Sequence, residues 1–288
     1  VKAAVIGLGA MGAGMAANLH RAGKLAGAWN RTRTRAEPLA ASHGFTLAER
    51  MEDAAAGADV VITSVSADRD LVEVVERLAA VLQPGQIVLD TSTVNAATAR
   101  KAARRLAERE VHFLDGPVSG GKEGAEKGTM VMMLGGQPEL VERLRPLLAV
   151  ITRRIDHMGP VGAGQATKAV NQIMVAGINQ AVTEALAFGE AQGLDLDKVI
   201  ALLGGGAAGN WFLDHRGPTM VRDTFVPGFK LALHHKDLQI CQSMASDHEA
   251  TLPCVEMTLL HYQRLIEAGH GDEDISALFR LKRSLFAK

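Results

Sequence analysis

Apolar positions in the first part of the chain come in short runs separated by stretches of helical spacing. Runs at 2–6, 25–30, 59–65, 86–90, 112–114 and 130–134 read as strands, several of them Val, Ile and Leu with little polar alternation. That pattern suits parallel strands covered on both faces, since a half-exposed sheet would alternate. Helical spacing fills 12–22, 71–81 and 96–109. Gly23 stands where a helix would end, and Pro84-Gly85 marks a turn before a strand. The alternation predicts an α/β Rossmann domain with a doubly wound, mainly parallel sheet.

After about Gly162 the strand pattern stops. Residues 165–193 read as one helix of about 29 residues, about 43 Å long. Its apolar stripe is wide and rich in small residues, so several of its sides should be buried, by its own domain or by another subunit. Further helices are expected at 196–203, near 212–221, and at 231–246, 254–268 and 275–286. The expected organisation is a dinucleotide-binding domain over 1–162. An all-helical substrate and oligomerisation domain follows over 163–288, beginning with the long helix.

Composition narrows the function classes. Lys and Arg number 31 against 32 Asp and Glu, so no broad charge footprint favours nucleic acid or anionic membrane. No apolar stretch approaches the ~20 residues that span a bilayer. The start of the chain does not resemble a secretory signal, and Cys241 and Cys254 have no metal-ligand spacing around them. A cytoplasmic protein with no metal, no membrane partner and no nucleic-acid partner is expected.

The segment Gly7-Leu8-Gly9-Ala10-Met11-Gly12 leaves a strand and opens a helix. Gly7 permits the tight turn, Gly9 lets backbone approach a pyrophosphate, and Gly12 allows close helix packing, the known dinucleotide fingerprint. An NAD site usually carries an acidic residue about 20 residues along. This chain instead has Asn30, Arg31 and Thr32. Arg31 can pair with a 2′-phosphate and Thr32 offers a hydroxyl, which favours NADP, with NAD the weaker alternative. The bland reading is that Arg31, Arg33 and Arg35 are solvated surface charge.

Two further segments carry chemistry. Asp115-Gly116-Pro117-Val118-Ser119-Gly120-Gly121 follows a strand and can form a small concavity for a carboxylate, or can be an ordinary glycine-rich loop. Lys168, Asn171 and Gln172 lie three and four residues apart, so they share a helix face. A lysine early in a helix is usually solvated. Among amides on an otherwise apolar helix, burial would lower its pKa and suit it to proton transfer.

With these motifs in order, and Lys236-Asp237-Leu238 after them, nearly the whole chain resembles the β-hydroxyacid dehydrogenase family. That family includes 3-hydroxyisobutyrate dehydrogenase and the tartronate, glyoxylate and succinic semialdehyde reductases. The resemblance implies that Ser119, Gly120 and Gly121 hold a substrate carboxylate and that Lys168 is the acid/base. Asn171 or Gln172 would assist it; many members have Asn at the later position, and Gln172 resembles the tartronate semialdehyde branch. Val65, Ser66 and Thr93 match cofactor-lining segments, and Lys236 matches a lysine near the nicotinamide. The implied partner is a small carboxylate-bearing aldehyde or hydroxyacid, and the long helix suggests a homodimer or homotetramer.

Other landmarks read as structural. The ten histidines, including His234 and His235, are expected on helix surfaces or lining a cleft. Met130, Met132 and Met133 read as buried strand residues. Asn210-Trp211-Phe212 could close over a substrate or pack in a core or subunit interface. A non-catalytic NADP-binding regulator and a 6-phosphogluconate-type dehydrogenase are the competing functions. Lys168 speaks against the first, and the length and absence of a basic cluster in the motifs speak against the second.

Overall fold

The computed structural model describes residues 1–287 and divides into two compact units, Val1–Lys168 and Ala169–Lys288. The first unit carries β1 (Ala3–Ile6), α1 (Gly12–Arg21), β2 (Leu25–Trp29), α2 (Arg33–His43) and α3 (Met51–Ala55). It continues with β3 (Val60–Thr63), α4 (Asp68–Val81), β4 (Ile87–Asp90), α5 (Ala96–Ala107), β5 (His112–Asp115) and β6 (Val118–Ser119). Helix α6 (Gly121–Lys127), β7 (Met130–Gly135), α7 (Pro138–Leu148) and β8 (Thr152–Gly159) complete the strand-bearing part.

Strands β2, β1, β3, β4 and β5 lie side by side in that order, all parallel. Strand β7 meets β5 and β6 antiparallel and β8 parallel. The absence of polar alternation has its cause in two cores. Ala3, Val5, Val60, Ile62, Ile87 and Leu89 join one cluster with Met15 and Leu19 of α1 and Leu144 of α7. Ile6, Val61 and Val88 point the other way, among Leu71, Val75 and Leu78 of α4 and Leu106 of α5. Truncating a fully buried residue such as Leu89 to Ala costs about 2–5 kcal/mol.

Several elements escape the periodicity. Strand β8 is mostly exposed and polar, and it is held by its backbone ladder to β7, so no apolar run announces it. Strand β6 has two residues. Helices α2 and α7 contain Pro38 and Pro146, which interrupt the helical reading, while α3 and α6 are short. Met130 and Met132 are buried, but Met133 is only partly so.

Helix α8 (Ala163–Ala191) begins in the first unit and continues into the second. Beyond it come α9 (Leu196–Gly204), α10 (Trp211–Val221), α11 (Leu231–Ser246), α12 (Pro253–Glu267) and α13 (Leu278–Ser284). The expected last helix is a 3₁₀ turn, Ile275–Ala277, running into α13. No strand occurs among the described residues after Gly159. Phe212, Tyr262, Leu265, Leu278 and Phe279 anchor the core of this unit. Trp211, by contrast, is largely exposed, and Asn210 caps α10 by accepting from Leu213 N. No described helix is long and apolar enough to cross a membrane.

Candidate active site

The strand order reverses between β1 and β3, and a doubly wound sheet binds its ligand where the carboxyl ends diverge. The glycine turn lies there. Gly7 has φ +94°, and a Cβ on it would stand 2.1 Å from Ser64 O. A Cβ on Gly12 would stand 1.9 Å from Gly7 O. Nothing lies within 4 Å of a Cβ built on Gly9, so that backbone faces open space. Crowding at two glycines and openness at the third is what a pyrophosphate-binding turn requires. Helix α1 also begins without a side-chain cap, although Ala13 N already donates to Gly9 O at 3.1 Å.

Around this turn the structure gathers the other cofactor candidates of the first unit. Leu8 N donates to Asn30 Oδ1 at 2.8 Å, and Asn30 Nδ2 donates to Thr32 O, so the glycine turn and the end of β2 hold each other. Ala10 is exposed and Met11 partly buried. Arg31 is exposed and bonds Asp70 Oδ1 at 2.8 Å from the first turn of α4. Val65 N donates to Ser92 Oγ at 2.8 Å, which ties the segment of Val65 and exposed Ser66 to that of Thr93.

Beneath them Asp90 is fully buried. Its Oδ1 accepts from Ser92 Oγ at 2.6 Å and Thr63 Oγ1 at 2.7 Å, while Oδ2 has no partner among the described residues. Burial pushes its carboxyl up to about 7. Ser119 pairs with Val131 in the β6–β7 ladder; Gly120 and Gly121 have φ +133° and +62°, conformations that favour glycine.

Lys168 lies in the second turn of α8 and is only 7% exposed, an unusual environment for a lysine. In the second unit, Asn171 Nδ2 donates to Gln172 Oε1 at 2.8 Å, and Gln172 Nε2 donates to Asp237 Oδ2 at 2.7 Å. Lys236 pairs with Asp237 Oδ1 at 3.0 Å. The four side chains thus form one polar chain from α8 to α11.

Asp237 belongs to the Lys236-Asp237-Leu238 motif, but sequence reasoning gives it no role. His234 is a correction: it is fully buried, on neither a surface nor a cleft wall. Its Nε2 lies 3.2 Å from the Gln172 carbonyl, which can only accept, so Nε2 carries the proton. Nδ1 then accepts from the Tyr262 hydroxyl at 3.0 Å, and that hydroxyl accepts from Asn179 Nδ2 at 2.8 Å. No group of metal-ligating side chains occurs among the described residues.

The chain resembles known proteins over nearly its whole length. Residues 2–159 match the family model described as the NAD binding domain of 6-phosphogluconate dehydrogenase. Residues 162–282 match that described as NAD-binding of NADP-dependent 3-hydroxyisobutyrate dehydrogenase. The chain is 35% identical over 289 residues to an NAD-dependent L-serine dehydrogenase of Pseudomonas aeruginosa, covering 96% of each. It is 35% identical over 284 residues to 2-hydroxy-3-oxopropionate reductase of Escherichia coli, again 96% of each. A solved structure of Mycobacterium tuberculosis 3-hydroxyisobutyrate dehydrogenase with L-serine superposes with a TM-score of 0.90 at 32% identity, over 98% of this chain and 99% of that one.

Proposed function

Because this chain belongs to the β-hydroxyacid and semialdehyde dehydrogenase family of NAD(P)-dependent oxidoreductases, we propose that it interconverts a small β-hydroxyacid and its semialdehyde with Lys168 as acid/base. Buried Lys168, on the same helix face as Asn171 and Gln172, carries this reading. A substrate of the class of tartronate, succinic or methylmalonate semialdehyde, or glyoxylate, fits a site built for one carboxylate and one carbonyl. The bound nicotinamide supplies or accepts the hydride. Ser119 and the N–H groups of Gly120 and Gly121 hold the carboxylate, which fixes the carbonyl carbon in place. Lys168 Nζ gives its proton to the oxygen during reduction and takes it back during oxidation. Proton transfer of this kind is worth about 10²–10⁴-fold, and orientation adds to it.

NADP is the proposed cofactor, since Asn30, Arg31 and Thr32 place no carboxylate after β2. Asp70, bonded to Arg31, favours NAD as a second reading, because its charge opposes a 2′-phosphate nearby. Exposed Val170, Met174 and Phe188 fall on one face of α8 and support self-association as a homodimer or homotetramer.

The test is NADPH consumption with a panel of short semialdehydes and 2-oxoacids, repeated with NADH. Turnover of one panel member with NADPH is expected, and faster turnover with NADH would overturn the Arg31 argument. Lys168→Ala should lower kcat by at least about 10²-fold and leave NADPH affinity nearly unchanged. Retained turnover would remove Lys168 from the mechanism.

A further inference from the structure

Helix α8 starts against the ends of two strands, and its first turn is held by groups far away in sequence. Asp115 ends β5 and is fully buried. Its Oδ1 accepts from Gly162 N at 2.7 Å and its Oδ2 from Gln165 N at 2.8 Å. A helix normally leaves its first N–H groups unpaired within the helix, and a cap from the residue at its own start is the usual remedy. Here the cap comes from 47 and 50 residues away.

The fit leaves no slack. A Cβ on Gly164 would lie 2.3 Å from Met133 O and 2.7 Å from Asp115 O, and one on Gly135 would lie 2.4 Å from Asp115 Oδ1. The first turn of α8 is therefore seated directly on β5 and β7.

Gln165 extends the hold towards the cofactor segments. Its Nε2 donates to Ser92 O at 2.8 Å, and its Oε1 accepts from Val94 N at 3.2 Å. Ser92 Oγ in turn accepts from Val65 N and donates to Asp90. One buried network thus runs from the segments after β3 and β4 to the helix turn that precedes Lys168. Lys168 lies three residues beyond Gln165, so a shift of that first turn moves the lysine with it.

We infer that Asp115 and Gln165 are positioning residues, which set Lys168 relative to the segments of Val65 and Thr93. The inference rests on the catalytic reading of Lys168 given above. Neither residue touches the reacting atoms. A misplacement of about 1 Å at a reacting group can cost about 10²-fold, which is the scale on which such a network matters.

The experiment compares Asp115→Asn, Gln165→Ala and Lys168→Ala in the full chain with NADPH and the panel substrate that turns over. Asp115→Asn keeps the shape but turns an N–H towards one of the two backbone donors. It should speed hydrogen exchange at the Gly162 and Gln165 amides by at least about 10-fold. It should also lower kcat per NADPH-binding site by about 10- to 100-fold, with KM and NADPH affinity changed less than about 3-fold.

Transfer of deuteride should show a larger isotope effect on kcat, a change that a loss of folded protein alone does not produce. Gln165→Ala leaves the carboxylate cap in place and should show the same kcat-selective loss, several-fold in size; it keeps the test open if Asp115→Asn does not fold. Wild-type kcat per binding site in either folded variant, or a loss that only tracks NADPH binding, would overturn the inference. Undiminished turnover in Lys168→Ala would instead overturn the reading on which it rests.

Discussion

The two units satisfy their buried polar groups in different ways. In the first, Asp90 and Asp115 end neighbouring parallel strands and find backbone N–H groups and hydroxyls from adjoining turns. In the second, Asn171, Gln172, Asp237, His234, Tyr262 and Asn179 bond mainly side chain to side chain, across α8, α11 and α12. The strand-end arrangement follows from the sheet, because parallel strands deliver their carboxyl ends to one edge. The helical arrangement depends on the packing register of three helices, since each partner must arrive at the correct turn. Changes to backbone should therefore damage the first unit most, and changes to single polar atoms the second.

The largest effect is expected at the glycine turn. Gly7→Ala puts a Cβ into Ser64 O and forces a non-glycine residue to φ +94°. Strain of that kind costs about 1–3 kcal/mol before the clash is counted, so both Tm and NADPH binding should fall. Gly9→Ala meets nothing within 4 Å and should leave Tm unchanged while weakening NADPH binding by about 10-fold or more. Thermal unfolding and fluorescence titration measure both. A Gly9 variant that binds normally would break the assignment of the turn.

Next in size is Tyr262→Phe in the second unit. It removes the hydroxyl between Asn179 and His234 and leaves Nδ1 of a fully buried histidine without that donor. The expected loss is about 1–3 kcal/mol in urea unfolding, with NADPH affinity unchanged. A neutral result would mean that the helical network is looser than its distances imply.

Asp90 gives an effect that only a pH series reads. Its carboxyl titrates at about 7 in the folded chain against an ordinary 3.8. The folded state therefore holds the proton more tightly, and stability falls as pH rises from about 4 to about 7, then levels off. Asp90→Asn should flatten that slope, read from denaturant midpoints across the range. An unchanged slope would assign the titration elsewhere.

How much of this was readable in the chain differs between the same two regions. The runs that became β1, β3 and β4 matched strands because each is buried on both faces, and burial writes itself as apolar residues. The Gly7, Gly9 and Gly12 spacing was legible because a tight turn constrains residue type. Strand β8 was not, because its pairing uses backbone atoms that every residue has. His234 was misjudged for a related reason: a histidine that ends in a core carries the same letter as one on a surface.

Amino-acid order by itself determined the strand–helix alternation, the glycine turn, the missing carboxylate after β2, and the grouping of Lys168, Asn171 and Gln172 on one helix face. Each is a short-range property, fixed by helix periodicity, side-chain polarity or backbone freedom. Only the tertiary structure decided that Asp115 caps a helix whose first turn lies some fifty positions later, and that Asp237 meets Gln172 and Arg31 meets Asp70. Those pairings depend on which strand edge and which helix turn come together. That is set by the packing of both cores as a whole, which local spacing does not encode.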